Sequence, residues 1–334
     1  MRMLVTGAGG FIGRATVAEA VARGHRVRAV LRPGAEAPAF GAEAGGDAVE
    51  FVYADLRERE SIRDVVRDMD VVVHLAAAMQ GDDAEHRAVT VRGTAHLLDA
   101  MVAAGVRRLV AVSSIAVYDV LAAGGRGPVD ETCPLETRPK QRDPYCRGKL
   151  TQEALIREWA ERAGLEAVIL RPGVVHGPGR RWSPRVGLRL APRLWMIPAP
   201  FAPLPLVTRQ SCAEAIVLAA ERRDVAGLTL NVVDDGAPSR WRYARAIGRL
   251  EGSAPWLLVL PAWLVRPIGG LVLGLIRLVP GRRPGVGPYS RRRFAARFTP
   301  RSYANALIKE RLGWTPRTTF ETGDGGEGRR IDGL

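Results

Sequence analysis

Three cysteines in 334 residues, Cys133, Cys146 and Cys212, are too few and too scattered for a disulfide framework or a C-x-x-C metal site. They read as reduced thiols in a cytoplasmic protein. The opening "MRMLVTGAGG" runs straight into a strand and a glycine turn, so no signal peptide is expected. Acid is scarce in the C-terminal half. Between Glu166 and Glu214 there is none against seven arginines, and between Glu251 and Glu310 none against nine arginines and Lys309. The net charge of +14 gathers there, which makes that half the expected contact surface for something anionic or membranous. No nucleic-acid-reading motif and no aromatic-interleaved basic stretch is present, so nucleic acid is not an expected partner. No internal repeat is visible, and the glycine-rich polar tail 322–334 is expected to be disordered.

An uninterrupted membrane span is also missing. Segment 256–279 is long enough to cross a bilayer, yet Pro261, Arg266, Pro267, Gly269 and Gly270 break its centre. A mid-membrane arginine costs about 3 kcal/mol. The segment reads instead as a hydrophobic lid over a greasy substrate, a patch on the membrane surface, or buried helices. Arg282, Arg283, Arg291, Arg292 and Arg293 follow it. Arg185, Arg189 and Arg193 repeat every four residues after Pro184, as on one basic helical face. Both features suit anionic lipid, so a peripheral position at the inner face of the membrane stands beside a freely cytoplasmic one.

What the chain does have is alternation. "RMLVT" (2–6), "RVRAVL" (26–31), "VEFVY" (49–53), "DVVVHLA" (70–76), "RRLVAVS" (107–113) and "EAVIL" (166–170) read as buried strands. Helix-period segments lie between them, and Gly24, Gly105 and Gly164 sit where helices end. This predicts an α/β fold: a doubly wound, Rossmann-type parallel sheet with helices on both faces. Residues 1–171 form the expected NAD(P)-binding core, to which some later segments return, and 172–321 a smaller C-terminal substrate-binding lobe.

"TGAGGFIG" (6–13) follows a strand and opens a helix, the context in which a glycine triplet binds a dinucleotide. Gly7 makes the tight turn, Gly10 admits a pyrophosphate, Gly13 lets helix pack on strand, and the helix N-terminus faces the phosphates. The second strand usually ends in an acid that binds the adenosine ribose. Here Leu31 and Arg32 stand in its place, and a guanidinium suits a 2′-phosphate. NADP is therefore expected ahead of NAD. Asp55, after the third strand, is placed to meet the adenine amino group or to cap the next helix.

"DPYCRGKL" (143–150) supplies the chemistry. Asp143 caps, Pro144 takes the first helical position, and Tyr145 and Lys149 then share one face one turn apart. With a pKa of about 10, only about one phenol in a thousand is ionised at neutral pH. Lowering that value by about three units requires about 4 kcal/mol of preference for the phenolate, which an ammonium and an oxidised nicotinamide can supply. Ser114, at the end of the fifth strand, can hold the same substrate oxygen.

"TGAGGFIG", "ADL" (54–56), "HLAA" (74–77), "SSIAVY" (113–118), "YCRGK" (145–149), "RPGVVHGPG" (171–179) and "RLGWTPRTTFETG" (311–323) resemble the extended short-chain dehydrogenase/reductase family, the NAD-dependent epimerase/dehydratases. The motifs follow family order over nearly the whole chain. The resemblance implies Tyr145 as acid/base, Lys149 as the group that binds the nicotinamide ribose and depresses the tyrosine, and Ser114 as the polariser of the substrate oxygen. It also implies that Phe11, Ile12, Leu56 and Ala76 contact the cofactor and that Pro172 and Val175 line the nicotinamide pocket. Pairing through helices near 84–104 and 144–163 makes a homodimer the expectation by analogy. "TVRGT" carries Thr90 where the family has an asparagine that supports a proton relay or helix kink. Val174 and His176 replace residues typical of sugar-nucleotide members, and Ser211 stands where an aspartate is common. The C-terminal half is similar to 3β-hydroxysteroid dehydrogenase-like members and "GHRVRAVLRPG" to dihydroflavonol-reductase-like ones. The expected activity is therefore hydride transfer at a secondary alcohol or ketone of a hydrophobic molecule. The alternatives are a nucleotide-sugar epimerase/dehydratase and a non-enzymatic, cofactor-binding assembly or sensor protein at the membrane. His176 and His74 read as satisfied or packing residues, and Cys146 as a small filler.

Overall fold

The computed structural model describes residues 1–38, 48–123, 127–264, 267 and 290–316. Seven strands form one all-parallel sheet: β1 (Arg2–Thr6), β2 (Arg26–Leu31), β3 (Val49–Tyr53), β4 (Val71–His74), β5 (Arg108–Val112), β6 (Glu166–Pro172) and β11 (Thr229–Val232). Their order is β3-β2-β1-β4-β5-β6-β11. The order reverses direction between β1 and β4, and a doubly wound sheet opens its ligand crevice beyond the carboxyl ends of the strands at that point.

Strand alternation divides the core into two layers. Met3 and Val5 of β1 face one side, with Val17 and Ala20 of α1 (Phe11–Ala22) and Ala215 and Ile216 of α6 (Arg209–Glu221). Leu4 faces the other, with Leu97, Leu98 and Met101 of α4 (Gly93–Ala103) and Ile156 of α5 (Pro144–Ala163). Strands buried on both faces read as continuous apolar runs, as in β1 and most of β2, and these and the half-buried edge strand β3 match the expected ranges residue for residue. Trp314, beyond the last described helix (Ala306–Leu312), returns to the first layer and donates its indole N–H to the Ser211 carbonyl at 3.0 Å.

Residues 172–208 are built differently. β7 (Val174–His176) pairs with β10 (Leu206–Thr208), and β8 (Leu188–Ala191), β9 (Leu194–Pro198) and β12 (Trp256–Leu260) make a small second sheet. Trp195, Ile197 and Leu206 pack there against Tyr243, Ala244 and Ile247, the last three on α7 (Arg240–Leu250). The expected basic helix through Arg185, Arg189 and Arg193 is not formed. Pro184 and Gly187 interrupt it, Leu188 to Ala191 pair antiparallel with β9, and Arg189 lies against both the Trp182 and Trp195 rings, its Cζ 4.5 and 4.4 Å from centroids that are themselves 4.8 Å apart edge-on.

Of segment 256–279, β12 and the residues to 264 are described, together with 267. The rest of it, Arg282, Arg283 and the tail 322–334 lie outside the described residues. No described helix is long and apolar enough to cross a membrane. The helix Arg291–Phe298 leaves Arg291 exposed but turns its next two arginines to this chain. Arg292 pairs with Asp119 at 2.5 Å and Glu136 at 2.8 Å, and Arg293 with Asp143 at 3.4 Å, so two of the three guanidiniums bind carboxylates of this chain.

Candidate active site

The glycine turn joins β1 to α1 at the crevice. Gly7 has φ +70°, and a Cβ there would come within 2.9 Å of the Ala76 amide. A Cβ on Gly13 would lie 2.1 Å from the Gly7 carbonyl, so only glycine lets α1 close on the turn. Gly10 is the N-cap without a side-chain cap, and the first turn of α1 holds no acid. The unpaired N–H groups and dipole at this helix start fit the diphosphate of a dinucleotide. Phe11 and Ile12 open the helix half-buried.

At the adenosine end, Arg32 is exposed just past β2, and its charge acts on Asp55. The Asp55 carboxylate is held by Arg57, with contacts from 2.6 to 3.1 Å, and that bond pulls its pKa below the ordinary value. Asp55 also accepts the Arg57 amide and does not cap α2 (Arg59–Arg63), whose N-cap is Glu58. Leu56 is buried, its carbonyl accepting from His96 at 3.0 Å.

The expected acid/base residues stand at the carboxyl end of β5 and the start of α5. Asp143 accepts from the Cys146 amide at 3.2 Å, Pro144 is the first helical residue and Gly164 closes α5 at φ 64°, as the sequence indicates. Tyr145 is half-buried beside the Ser114 side chain, whose own Oγ accepts from the Ala116 amide at 3.2 Å. Burial pushes the phenol above its ordinary pKa, opposed mainly by the neighbouring Ser114 hydroxyl and by the charge of Arg180. The protein's own groups therefore hold Tyr145 up rather than down. His86 meets the phenol ring edge-on, centroids 6.3 Å apart. Cys146 turns into the core, donating to the Ala116 carbonyl at 3.2 Å, with its thiol pushed up to about 12 by burial.

Lys149 is 3% exposed and donates to the Val112 carbonyl at 2.6 Å and to Gln152 Oε1 at 2.9 Å. From Gln152 a buried chain continues. Its Nε2 donates to Thr94 Oγ1 at 2.9 Å, which lies 2.9 Å from His74 Nε2, and His74 Nδ1 lies 2.8 Å from Thr6 Oγ1. Thr94 spends its only proton on the Thr90 carbonyl at 2.5 Å, so His74 carries its proton on Nε2 and Thr6 donates to Nδ1. Thr6 in turn accepts from Ala76 at 3.3 Å. His74 is thus a neutral bridge rather than mere packing, held down to about 3 by burial and by the charge of Lys149. Two of the three Lys149 protons are committed and the third remains for a ligand oxygen.

Thr90, in the expected asparagine's place, accepts from the Ala78 amide at 3.0 Å and lies within a π-turn, Arg87–Arg92. The kink thus persists without the asparagine. Pro172 ends β6 and Val175 lies in β7 on the far side of the crevice. His176 is buried with Nδ1 lacking a hydrogen-bond partner among the described residues, so it is not satisfied as expected, and burial holds it down to about 4. Gln152, His86, Thr94 and Arg180 were not anticipated. Gln152 alone had a local signal, three residues from Lys149 on one helical face. No described cluster of His, Cys, Asp or Glu could hold a metal.

Residues 3–195 match the model of the NAD dependent epimerase/dehydratase family. The chain belongs to that family. It is an NAD(P)-dependent oxidoreductase of the extended short-chain dehydrogenase/reductase type. It is 33% identical to a 3-diazoavenalumate denitrifying reductase from a Streptomyces species, over 79% of this chain and 86% of that protein. Sterol demethylase protein B of Methylococcus capsulatus is 35% identical over 53% of this chain, a match that spans only 52% of that protein. Among solved structures, MoeE5 in complex with UDP-glucose and NAD superposes with a TM-score of 0.68 at 24% identity, over 96% of this chain and 95% of that one. That likeness is one of fold, and the enzyme here takes a nicotinamide cofactor on the strength of its family.

Proposed function

We propose that the enzyme reduces a ketone, or oxidises the matching secondary alcohol, on a hydrophobic molecule, with NADP preferred over NAD. The observation that carries this reading is the approach of Tyr145 to Ser114 at the carboxyl end of β5, across the sheet's reversal from the glycine turn. The cofactor, when bound, supplies or accepts hydride. Ser114 holds the substrate oxygen, and Tyr145 gives that oxygen its proton in reduction or takes it in oxidation. Lys149 directs its free N–H at the nicotinamide ribose. Since burial raises the phenol, its depression has to come from charge brought in beside it, which ties proton transfer to a filled crevice.

Three observations favour an apolar substrate. Val174 and His176 take the places of the polar pair expected of sugar-nucleotide members, and His176 is buried and neutral. Phe201, Trp256 and Trp263 are exposed on the C-terminal lobe, which supports entry of the substrate from a membrane surface. Relatives named for sterol demethylation and 3β-hydroxysteroid dehydrogenation lie in the same family. Arg32 supports NADP by its place at the end of β2.

The test is net NADPH oxidation with steroid and polyprenoid ketones, run beside UDP-sugars. Stoichiometric NADPH loss with a lipid ketone is expected. Conversion of a UDP-sugar with no net change in dinucleotide would replace this reading by the epimerase one, which the fold likeness to sugar-nucleotide enzymes keeps in view.

A further inference from the structure

Arg180 and Arg209 come from different parts of the chain to one aromatic ring. Arg180 lies in the loop after β7 and Arg209 opens α6, yet their Cζ atoms sit 5.6 and 5.2 Å from the centroid of Phe11. Phe11 is the first residue of α1, at the helix start that lacks both a side-chain cap and an acid.

The same helix pair treats its far end in the opposite way. There Arg23 meets Glu19 at 2.9 Å, Glu221 at 3.1 Å and Glu214 at 3.6 Å. At the near end neither Arg180 nor Arg209 has a carboxylate partner among the described residues, and Arg209 Nε is buried without a hydrogen-bond partner. Two guanidiniums drawn to one ring, with no carboxylate to neutralise them, favour an anion beside them. Arg180 is exposed, and its charge acts on the Tyr145 phenol.

We propose that Arg180 and Arg209 are a two-armed clamp for the cofactor's diphosphate, with the Phe11 ring as the platform that holds both planar forks in place. This deepens the dinucleotide reading of the crevice and rests on it. The α1 N-terminus offers the diphosphate backbone N–H groups from one side. The arginines add bidentate donors from the C-terminal half of the chain, which a lysine cannot match in plane or stacking. The clamp acts at the diphosphate, apart from Arg32 at the adenosine end.

Dissociation constants of the full chain for NADPH, ADP-ribose and adenosine 2′-monophosphate decide it, measured on wild type, Arg180→Met, Arg209→Met, the double variant and Arg180→Lys. Loss of one charged hydrogen-bond donor should weaken NADPH and ADP-ribose about 10- to 100-fold. The 2′-monophosphate, which lacks a diphosphate, should change less than about twofold, and Arg180→Lys should restore only part of the loss. Unaltered ADP-ribose binding in the double variant overturns the clamp while leaving the cofactor reading intact. So does an equal loss for all three ligands, or a raised substrate KM at constant NADPH affinity, which would assign the anion to the substrate. A wild type that binds no dinucleotide overturns the clamp and the underlying reading together.

Discussion

The parallel-sheet half and the C-terminal lobe dispose of their charges in opposite ways. Beneath the carboxyl ends of the sheet's strands the charges are internal, while pairs such as Arg63–Glu60 and Arg67–Asp64 stay on its surface. Glu153 and Arg171 meet bidentately at 2.9 and 2.6 Å with almost no exposure, Arg171 lies 4.6 Å over the Tyr118 ring, and the Tyr118 hydroxyl donates to Asn231 at 2.7 Å. Together with the Lys149–Gln152–Thr94–His74–Thr6 chain, these bonds leave no slack around the carboxyl ends of the strands. In the lobe, Arg189 lies half-exposed against two indoles, Arg245 stands 4.6 Å over Trp241, and large apolar side chains face solvent. Polar groups are locked to one another beneath the strand ends, while on the lobe apolar and cationic side chains meet water.

The comparison breaks most visibly if chemistry does not belong to the sheet half. Tyr145→Phe should lower kcat about 100- to 10,000-fold, the usual worth of a placed general acid/base. The NADPH dissociation constant and the unfolding midpoint should stay near wild type. A variant that keeps a tenth of the activity would show that another group carries the proton, and His86, edge-on to the phenol, would be the first to examine.

Next in size is the cost of opening the buried pair. Glu153→Gln strands Arg171 without its charge partner and should cost about 3–5 kcal/mol in a urea titration. A loss below about 1 kcal/mol would place this pair in the surface class and remove the contrast with the lobe.

The polar interior also sets a pH limit. Burial lowers Lys149 from its ordinary value to about 8, with Glu153 opposing the shift. Below that pH the ammonium is present; above it the amine is neutral and can no longer favour the phenolate. Ketone reduction should therefore decline once pH passes about 8. Gln152→Glu, which puts a carboxylate 2.9 Å from the amine in place of an amide oxygen, should move the break upward. A flat profile to pH 9.5 in the wild type, or a break unmoved by the variant, would separate Lys149 from catalysis.

Legibility in the sequence divides along the same line. The placement of Tyr145 and Lys149 on one helix, the strand–glycine turn–helix and the first three strands were readable because each rests on a short periodicity or a fixed spacing that survives any packing. The π-turn at Arg87–Arg92 was not, since its residues read as ordinary helix and only tertiary contacts distinguish it. The buried chain from Lys149 to Thr6 joins residues far apart in sequence, so no window contains it. β7 to β10 are three to five residues long within a proline- and arginine-rich stretch, too short for alternation to show. The four-residue arginine repeat failed for the same reason: spacing alone stated a helix, and the pairing of β8 with β9 decided otherwise.

The smallest effect is the sharpest probe of the lobe. Arg189 bonds Glu251 at 2.7 and 2.9 Å, but both side chains are about a third exposed, so solvent screens the pair and leaves it worth about 0–1 kcal/mol. Its two indole contacts add about 0.5–1 kcal/mol each. Glu251→Gln should then cost almost nothing, while Arg189→Ala should cost about 1–2 kcal/mol by losing both stacks. Arg189→Lys should fall between, because an ammonium cannot stack on the Trp182 and Trp195 rings as a planar guanidinium does. If instead Glu251→Gln proves as costly as Arg189→Ala, the ion pair and not the indole contacts gives Arg189 its worth. The lobe would then be stabilised as the sheet half is, by charge against charge.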